Sequence, residues 1–256
     1  VGTSGGGLDR LDRISGRFFH HVHRPDDRDS LSDDRVTALL EDRFGRLWVG
    51  TEAGGLQMLE PRRGIFIHYR NDPMTATSLG RDEIRSIFED AGGILWVGTY
   101  GGGVSKCDPA GKPFHLYRPE PGNPNSLGHE IVWAILEEAG GAFWVGSHGG
   151  GLERCDPATG RWTHFRNQPS NPRSLSHDSV RVICRDRSGH LWLGTNGGGV
   201  NLFDPATGQC LVFRHDPQRS ESLAHDEIRA IYIDRQEVVW VGTHGGGLDR
   251  LDRQTG

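Results

Sequence analysis

The chain has 256 residues and carries 34 Asp and Glu against 29 Lys and Arg, a net charge of −5. That balance argues against nucleic-acid binding, which favours a basic stripe. No run of about 18 apolar residues marks a membrane span. No secretory leader is read either, in a sequence that opens inside a repeated phrase.

Five tryptophans, Trp48, Trp96, Trp144, Trp192 and Trp240, stand 48 residues apart. Each opens nearly the same words: WVGTEAGGL, WVGTYGGGV, WVGSHGGGL, WLGTNGGGV and WVGTHGGGL. Residues 1–8, VGTSGGGL, are a sixth copy without the tryptophan. A fixed period of about 40–50 residues signals a repeat architecture.

Within one repeat the elements run in order. Ile84–Asp90 is a short strand with β-branched residues at intervals, strand A, and Ala91–Gly93 is a turn. Ile94–Thr99 is strand B, and the glycines at 101–103 turn the chain into strand C, Val104–Cys107. A turn over Asp108–Gly111 leads to strand D, Phe114–Tyr117. Four short strands without a helical period form an antiparallel meander. One meander cannot bury both faces, so radially stacked copies predict an all-β fold, a β-propeller.

The whole chain is expected to be one propeller domain: a partial blade 1–35, blades 36–83, 84–131, 132–179 and 180–227, and a partial blade 228–256. Two closures compete. A five-bladed ring would complete its last blade from both termini, leaving a surplus copy. An open arc would be a length of a larger ring, and is favoured. Its exposed strand edges and apolar blade faces would invite self-association.

Structural columns separate from variable ones. Cys107, Cys155, Cys184 and Cys210 align with apolar residues in other copies and are expected to be buried free thiols. No CxxC spacing suggests zinc or redox chemistry. The D-to-A connection repeats Ser30, Ser78, Ser126, Ser174 and Ser222, then a leucine, then Asp34, Asp82, Glu130, Asp178 and Asp226. Side-chain oxygens accepting loop amides explain this element. A calcium site is its alternative, although the spacing matches no known calcium loop.

These phrases, Asp-x-Val/Ile-x-x-Ile, Leu-Trp-Val-Gly-Thr-x-Gly-Gly-Gly-Leu, Leu-Asp-Pro-x-Thr-Gly and Phe-x-x-Tyr/Phe-Arg-x-x-Pro, resemble the two-component regulator propeller repeat along the whole chain. The resemblance implies propeller blades and a ligand-sensing role, often for glycan-derived ligands. It places the domain outside the cytoplasm, in the periplasmic half of bacterial hybrid kinases or diguanylate cyclases. It also implies that the chain is cut from a longer sensor. No kinase or cyclase activity follows for this chain.

Three columns are candidate ligand contacts, expected on the face carrying the B-to-C and D-to-A connections. The first is the free position inside the glycine turn: Ser4, Glu52, Tyr100, His148, Asn196 and His244. Its variation amid constant neighbours fits either an asymmetric ligand surface on a rigid scaffold or an unconstrained exposed site. The second is one residue into strand A: Thr37, Arg85, Trp133, Arg181 and Arg229. Guanidiniums suit carboxylate or sulfate groups and an indole suits a sugar face. The competing reading pairs each Arg with Asp82, Asp178 or Asp226. The third column is Asp33, Arg81, His129, His177 and His225. Its histidines lie in different blades and are expected to share no metal ion.

No cofactor is expected, and catalysis has thin support. The glycine turn lacks the Lys and the helix of a phosphate loop, and its glycines serve positive φ. The leading reading is a non-enzymatic sensor for an oligosaccharide or small anion. A structural, protein-interaction or engineered array is the alternative, and a lyase using His177 or His225 the third.

Overall fold

A computed structural model describes residues 1–60, 63–109, 114–138 and 140–251. The second half of the turn expected at 108–111, and the tail 252–256, lie outside the described residues. The fold is all-β, a propeller built of antiparallel blades, and no described residue is helical. The chain divides into two compact units, residues 1–118 with 130–132, and residues 119–129 with 133–256.

The first unit opens on a two-stranded sheet, β1 (Leu8–Leu11) and β2 (Phe18–His21). Two four-stranded blades follow in simple A-B-C-D order. One is β3 (Val36–Glu41), β4 (Leu47–Thr51), β5 (Leu56–Glu60) and β6 (Ile65–Tyr69). The other is β7 (Ile84–Glu89), β8 (Leu95–Thr99), β9 (Val104–Cys107) and β10 (His115–Tyr117). The second unit holds two more: β11 (Val132–Glu137), whose first residue groups with the first unit, β12 (Phe143–Ser147), β13 (Gly151–Asp156) and β14 (Arg161–Phe165); then β15 (Val180–Arg185), β16 (Leu191–Thr195), β17 (Val200–Asp204) and β18 (Gln209–Phe213). It ends on a three-stranded sheet, β19 (Ile228–Ile233), β20 (Val239–Thr243) and β21 (Gly247–Leu251).

One expected strand is reduced. The partial blade at the start of the sequence has no full B strand: its first residues form isolated bridges, Gly2 to Leu8 and Ser4 to Arg35. In the full blades strand B pairs on both sides, whereas this sheet contains only β1 and β2.

Four of the five tryptophans spaced 48 residues apart are placed by an aspartate six positions earlier. Trp48, Trp96, Trp192 and Trp240 donate their indole N–H to Asp42, Asp90, Asp186 and Asp234 at 2.8–3.0 Å. The second carboxylate oxygen accepts amides of the A-to-B turn, as Asp42 does from Phe44 and Arg46 at 2.9 Å. One aspartate thus shapes the turn and aims the ring. Strand D supplies an aromatic 21 residues on: Trp48 meets Tyr69, Trp96 meets Tyr117, Trp144 meets Phe165 and Trp192 meets Phe213, with centroids 5.5–5.9 Å apart. Trp144 is the exception to the aspartate rule. Glu138 replaces the aspartate, its carboxylate bonds Arg154 at 2.6 Å, and the buried indole nitrogen has no partner.

The glycine before each Thr or Ser of strand B lets the next strand A approach. A Cβ on Gly50 would stand 2.5 Å from Ile84, and one on Gly194 2.6 Å from Ile228. The cysteines behave as small apolar residues. Cys107 packs in the cluster of Trp48, Leu56 and Val97, and Cys210 in that of Phe203 and Leu191. Burial pushes the Cys107 and Cys210 thiols up to about 12 and Cys184 to about 11, so they stay protonated.

Candidate functional site

The D-to-A connection is a hydrogen-bonded frame. Each loop serine accepts the amide six residues before it: Arg24 N to Ser30, Asp72 N to Ser78, Glu120 N to Ser126, Gln168 N to Ser174 and Asp216 N to Ser222, at 2.9–3.0 Å. The following leucines, Leu31, Leu79, Leu127, Leu175 and Leu223, are at most 5% exposed and anchor the loop. Asp34, Asp82, Asp178 and Asp226 accept amides from His23, Asn71, Asn167 and His215 at 2.6–2.7 Å. These oxygens are committed to loop amides, which leaves the calcium alternative without support.

A column that sequence reading passed over completes the frame. Gln57, Ser105, Glu153, Asn201 and Asp249 on strand C accept the amides of Ser32, Gly80, Gly128, Ser176 and Ala224 at 2.5–3.0 Å. The first four are fully buried. A buried polar residue repeated at one strand position is the signal that reveals it.

The B-to-C turn is bonded to this frame, which puts the two connections on one face. The amides of Glu52, Tyr100, Asn196 and His244 donate to the carbonyls of Arg35, Glu83, Ser179 and Glu227 at 2.8–3.0 Å. The last turn glycine donates onward, Gly55 to Asp82, Gly103 to Glu130, Gly151 to Asp178 and Gly199 to Asp226, at 2.7–3.0 Å. Its φ is positive, +75° to +84° in these four, and a Cβ there would strike a strand-D carbonyl, 2.2 Å from Phe213 O at Gly199. The variable residue therefore rides on a rigid backbone.

Strand A supplies the second column through a β-bulge. The register between strands A and B shifts at Thr37, Arg85, Arg181 and Arg229, each skipped between its paired neighbours. A bulged residue is left out of the ladder and its side chain is re-aimed. Three of the four bulge residues are candidate arginines.

In the first unit Arg85 bonds Glu83 and lies over the Tyr100 ring, its guanidinium carbon 5.1 Å from the centroid. Glu52 pairs with Arg35 at 2.8 Å. Asp33 accepts the Arg35 and Ala53 amides; burial opposes its ionisation, and those bonds overcome it, so its carboxyl sits below the usual range.

In the second unit eight candidates form one chain of contacts. The His129 and His148 rings meet edge-on at 5.7 Å, and His148 leans on Trp133 at 4.8 Å. Arg181 covers Trp133 at 4.4 Å, donates to Asn196 at 3.1 Å and stands 3.7 Å from Glu227. Glu227 also holds Arg229 and lies 3.3 Å from His244, whose ring faces His225 at 6.4 Å. His177 takes a framing role instead: its Nδ1 accepts the Ser179 amide at 3.0 Å. His225 Nδ1 does the same for Glu227. Among the described residues no group of three or more His, Cys, Asp or Glu is arranged to hold a metal.

The arginines do pair with acids, but not with Asp82, Asp178 or Asp226 as the competing reading held. Those carboxylates are spent on loop amides, and Glu83 and Glu227 are the partners. The signal was present as Glu83-Ile-Arg85 and Glu227-Ile-Arg229, an acid two residues before the base. Chemically the rim offers aromatic faces under guanidiniums, half-exposed carboxylates and imidazoles, all on fixed backbone.

These features define a repeat-built propeller with a polar and aromatic rim. Four segments, residues 30–53, 78–101, 174–197 and 222–245, match the two component regulator propeller family. Each of those four segments carries that family's repeat. No curated protein matches the sequence. Among solved structures, the extracellular domain of BT3049, assigned to a hybrid two component system of B. thetaiotaomicron, is 22% identical with a TM-score of 0.70 over 95% of this chain. The extracellular domain of BT4673 from the same organism, assigned to a one component system, is 22% identical with a TM-score of 0.73 over 96%. PorZ, a surface component of the type-IX secretion system of Porphyromonas gingivalis, is 19% identical with a TM-score of 0.74 over 100%. The chain spans 37%, 30% and 37% of those three chains, respectively. Among the described residues no helix is long and apolar enough to cross a membrane.

Proposed function

We propose that this propeller is an extracytoplasmic, periplasm-facing sensor module of a bacterial signalling protein, binding an oligosaccharide or small anion at the rim without chemistry of its own. The observation that carries this reading is the contact chain Trp133–Arg181–Glu227–Arg229 beside His148, set on a bulged strand and a rigid turn. The Trp133 indole gives a sugar ring an apolar face. Carboxylates and guanidiniums beside them give hydroxyl and carboxylate partners. An anionic ligand would exchange with Glu227 for Arg181 and Arg229. The resemblance in fold to extracellular sensor domains supports the location.

Calorimetry against a panel of neutral and acidic oligosaccharides tests it. Binding is expected, with Trp133→Ala and Arg181→Ala each weakening it by about ten- to a hundredfold, a loss of one or two hot-spot contacts. A folded protein that binds nothing on the panel sinks the reading.

A second reading concerns partners. Leu8, Leu56, Val104, Leu152 and Val200 share a column and are at most 3% exposed, whereas Leu248 in the same column is 68% exposed. Phe18 is 51% exposed where Phe66 is 3%. We propose that these bare blade faces associate with blade faces of another copy.

A further inference from the structure

The first D-to-A loop carries more charged residues than its sister loops, Arg24 and Arg28 beside Asp26, Asp27 and Asp29. Arg24 occupies the position held elsewhere by Asp72, Glu120, Gln168 and Asp216. Arg28 occupies that of Ala76, Pro124, Pro172 and Ser220. The backbone is unchanged, since Arg24 N still bonds Ser30 and Ser30 still bonds the Arg24 carbonyl. The substitutions therefore add charge to a loop whose shape is already set.

That loop walls a cleft of about 330 Å³ together with His68 of strand D and Arg70 just beyond it. Arg24, Arg28 and Arg70 are exposed, and no carboxylate lies within ion-pair distance of them among the described residues. Asp27 is the one acid in the wall. Pro25, Leu31 and the arginine stems make the remainder largely apolar.

The floor histidine lacks the acid partner that its counterparts in two other sheets have. His164 Nδ1 meets buried Glu153 at 2.8 Å, and His20 Nδ1 meets Asp9 at 2.6 Å. In the first full blade Gln57 stands at that strand position, and the buried Nδ1 of His68 has no partner. His68 Nε2 donates to the Arg28 carbonyl at 3.0 Å, so the ring is fixed beneath the cleft. His23 is likewise engaged, donating Nδ1 to the Leu31 carbonyl at 2.7 Å.

Three guanidiniums without ion-pair partners, beside an apolar wall, are the elements of an anion site. We propose that this cleft binds a small organic anion, its carboxylate, sulfate or phosphate group held by Arg24, Arg28 and Arg70 and its body lying on Pro25. The site is independent of the rim ligand.

Titration of the isotope-labelled chain separates the two. Sodium sulfate, sodium phosphate and sodium glucuronate serve as probes, each balanced with sodium chloride at constant ionic strength, and backbone amide shifts are read. Saturable shifts are expected in residues 23–32 and 68–70. Arg24→Asp and Arg28→Ala, which install residues that sister loops fold with, should weaken them at least tenfold and leave Trp133 and Glu227 unmoved. Preference among the three probes names the anionic group. Shifts that do not saturate, or that survive both variants in a folded protein, overturn the proposal whatever the rim does.

Discussion

Trp144 shows how much one carbon atom weighs in this repeat. The other four tryptophans hand their indole proton to an aspartate, and Glu138 overshoots that position to meet Arg154. A buried donor without a partner costs about 1–3 kcal/mol. Glu138→Asp should recover about 1 kcal/mol of it, read as a raised midpoint in urea denaturation with an unchanged slope; an unchanged or lowered midpoint would contradict the account. His164 and His68 occupy the same strand position with opposite consequences. The Glu153 hydrogen bond raises the His164 pKa above its ordinary 6.5. Its stabilising contribution is complete below that value and is lost as pH rises through the elevated one. Burial, the main cause, lowers His68 below 6.5, so its contribution is complete above 6.5 and is lost as pH falls through the depressed value. His164→Gln should therefore cost most stability in acid and little at high pH, whereas His68→Gln should make the fold more resistant to acid. Thermal melts from pH 5 to 8 check the sign of each. The tryptophans, cysteines and loop serines were legible as residues because their chemistry repeats. The reach of Glu227 to Arg181 was not, because Arg35, Ile131 and Ser179 share its column and conceal that role.

At the scale of the element, the glycine turn is the part whose backbone chemistry the sequence specifies most tightly. Gly197 and Gly199 both have positive φ, +114° and +75°. A Cβ on Gly197 meets open space, and one on Gly199 lies 2.2 Å from the Phe213 carbonyl oxygen. Gly197→Ala is expected to cost about 1–2 kcal/mol, the penalty of a left-handed residue alone. Gly199→Ala should cost distinctly more, because strand D must also retreat. Chemical denaturation of the two variants compares them directly, and equal losses would refute the packing argument. The four strands of a blade were legible within a residue or so, strand C at Val104–Cys107 being read as it stands. The bulge in strand A was not legible. It arises where strand A meets both its own strand B and the preceding blade, as Ile84 does against Gly50, and no local pattern records that meeting.

For the molecule as a whole, repetition makes each blade a control for the others, and departures from the column mark surfaces with work to do. Leu248→Glu should reduce concentration-dependent association measured by analytical ultracentrifugation, while the corresponding Val200→Glu should unfold the protein by burying a charge. Association unchanged by Leu248→Glu would remove that face as a contact. The sequence alone determined the all-β class, the 48-residue period, the strand order and the family of the repeat, because each is written in local patterns that recur. Tertiary structure alone decided that Glu227 reaches Arg181 and that strand C holds the amides of the D-to-A loop, as Gln57 does for Ser32. Those facts depend on residues far apart in the chain meeting within a few ångströms, and spacing along a sequence cannot report a distance across a fold.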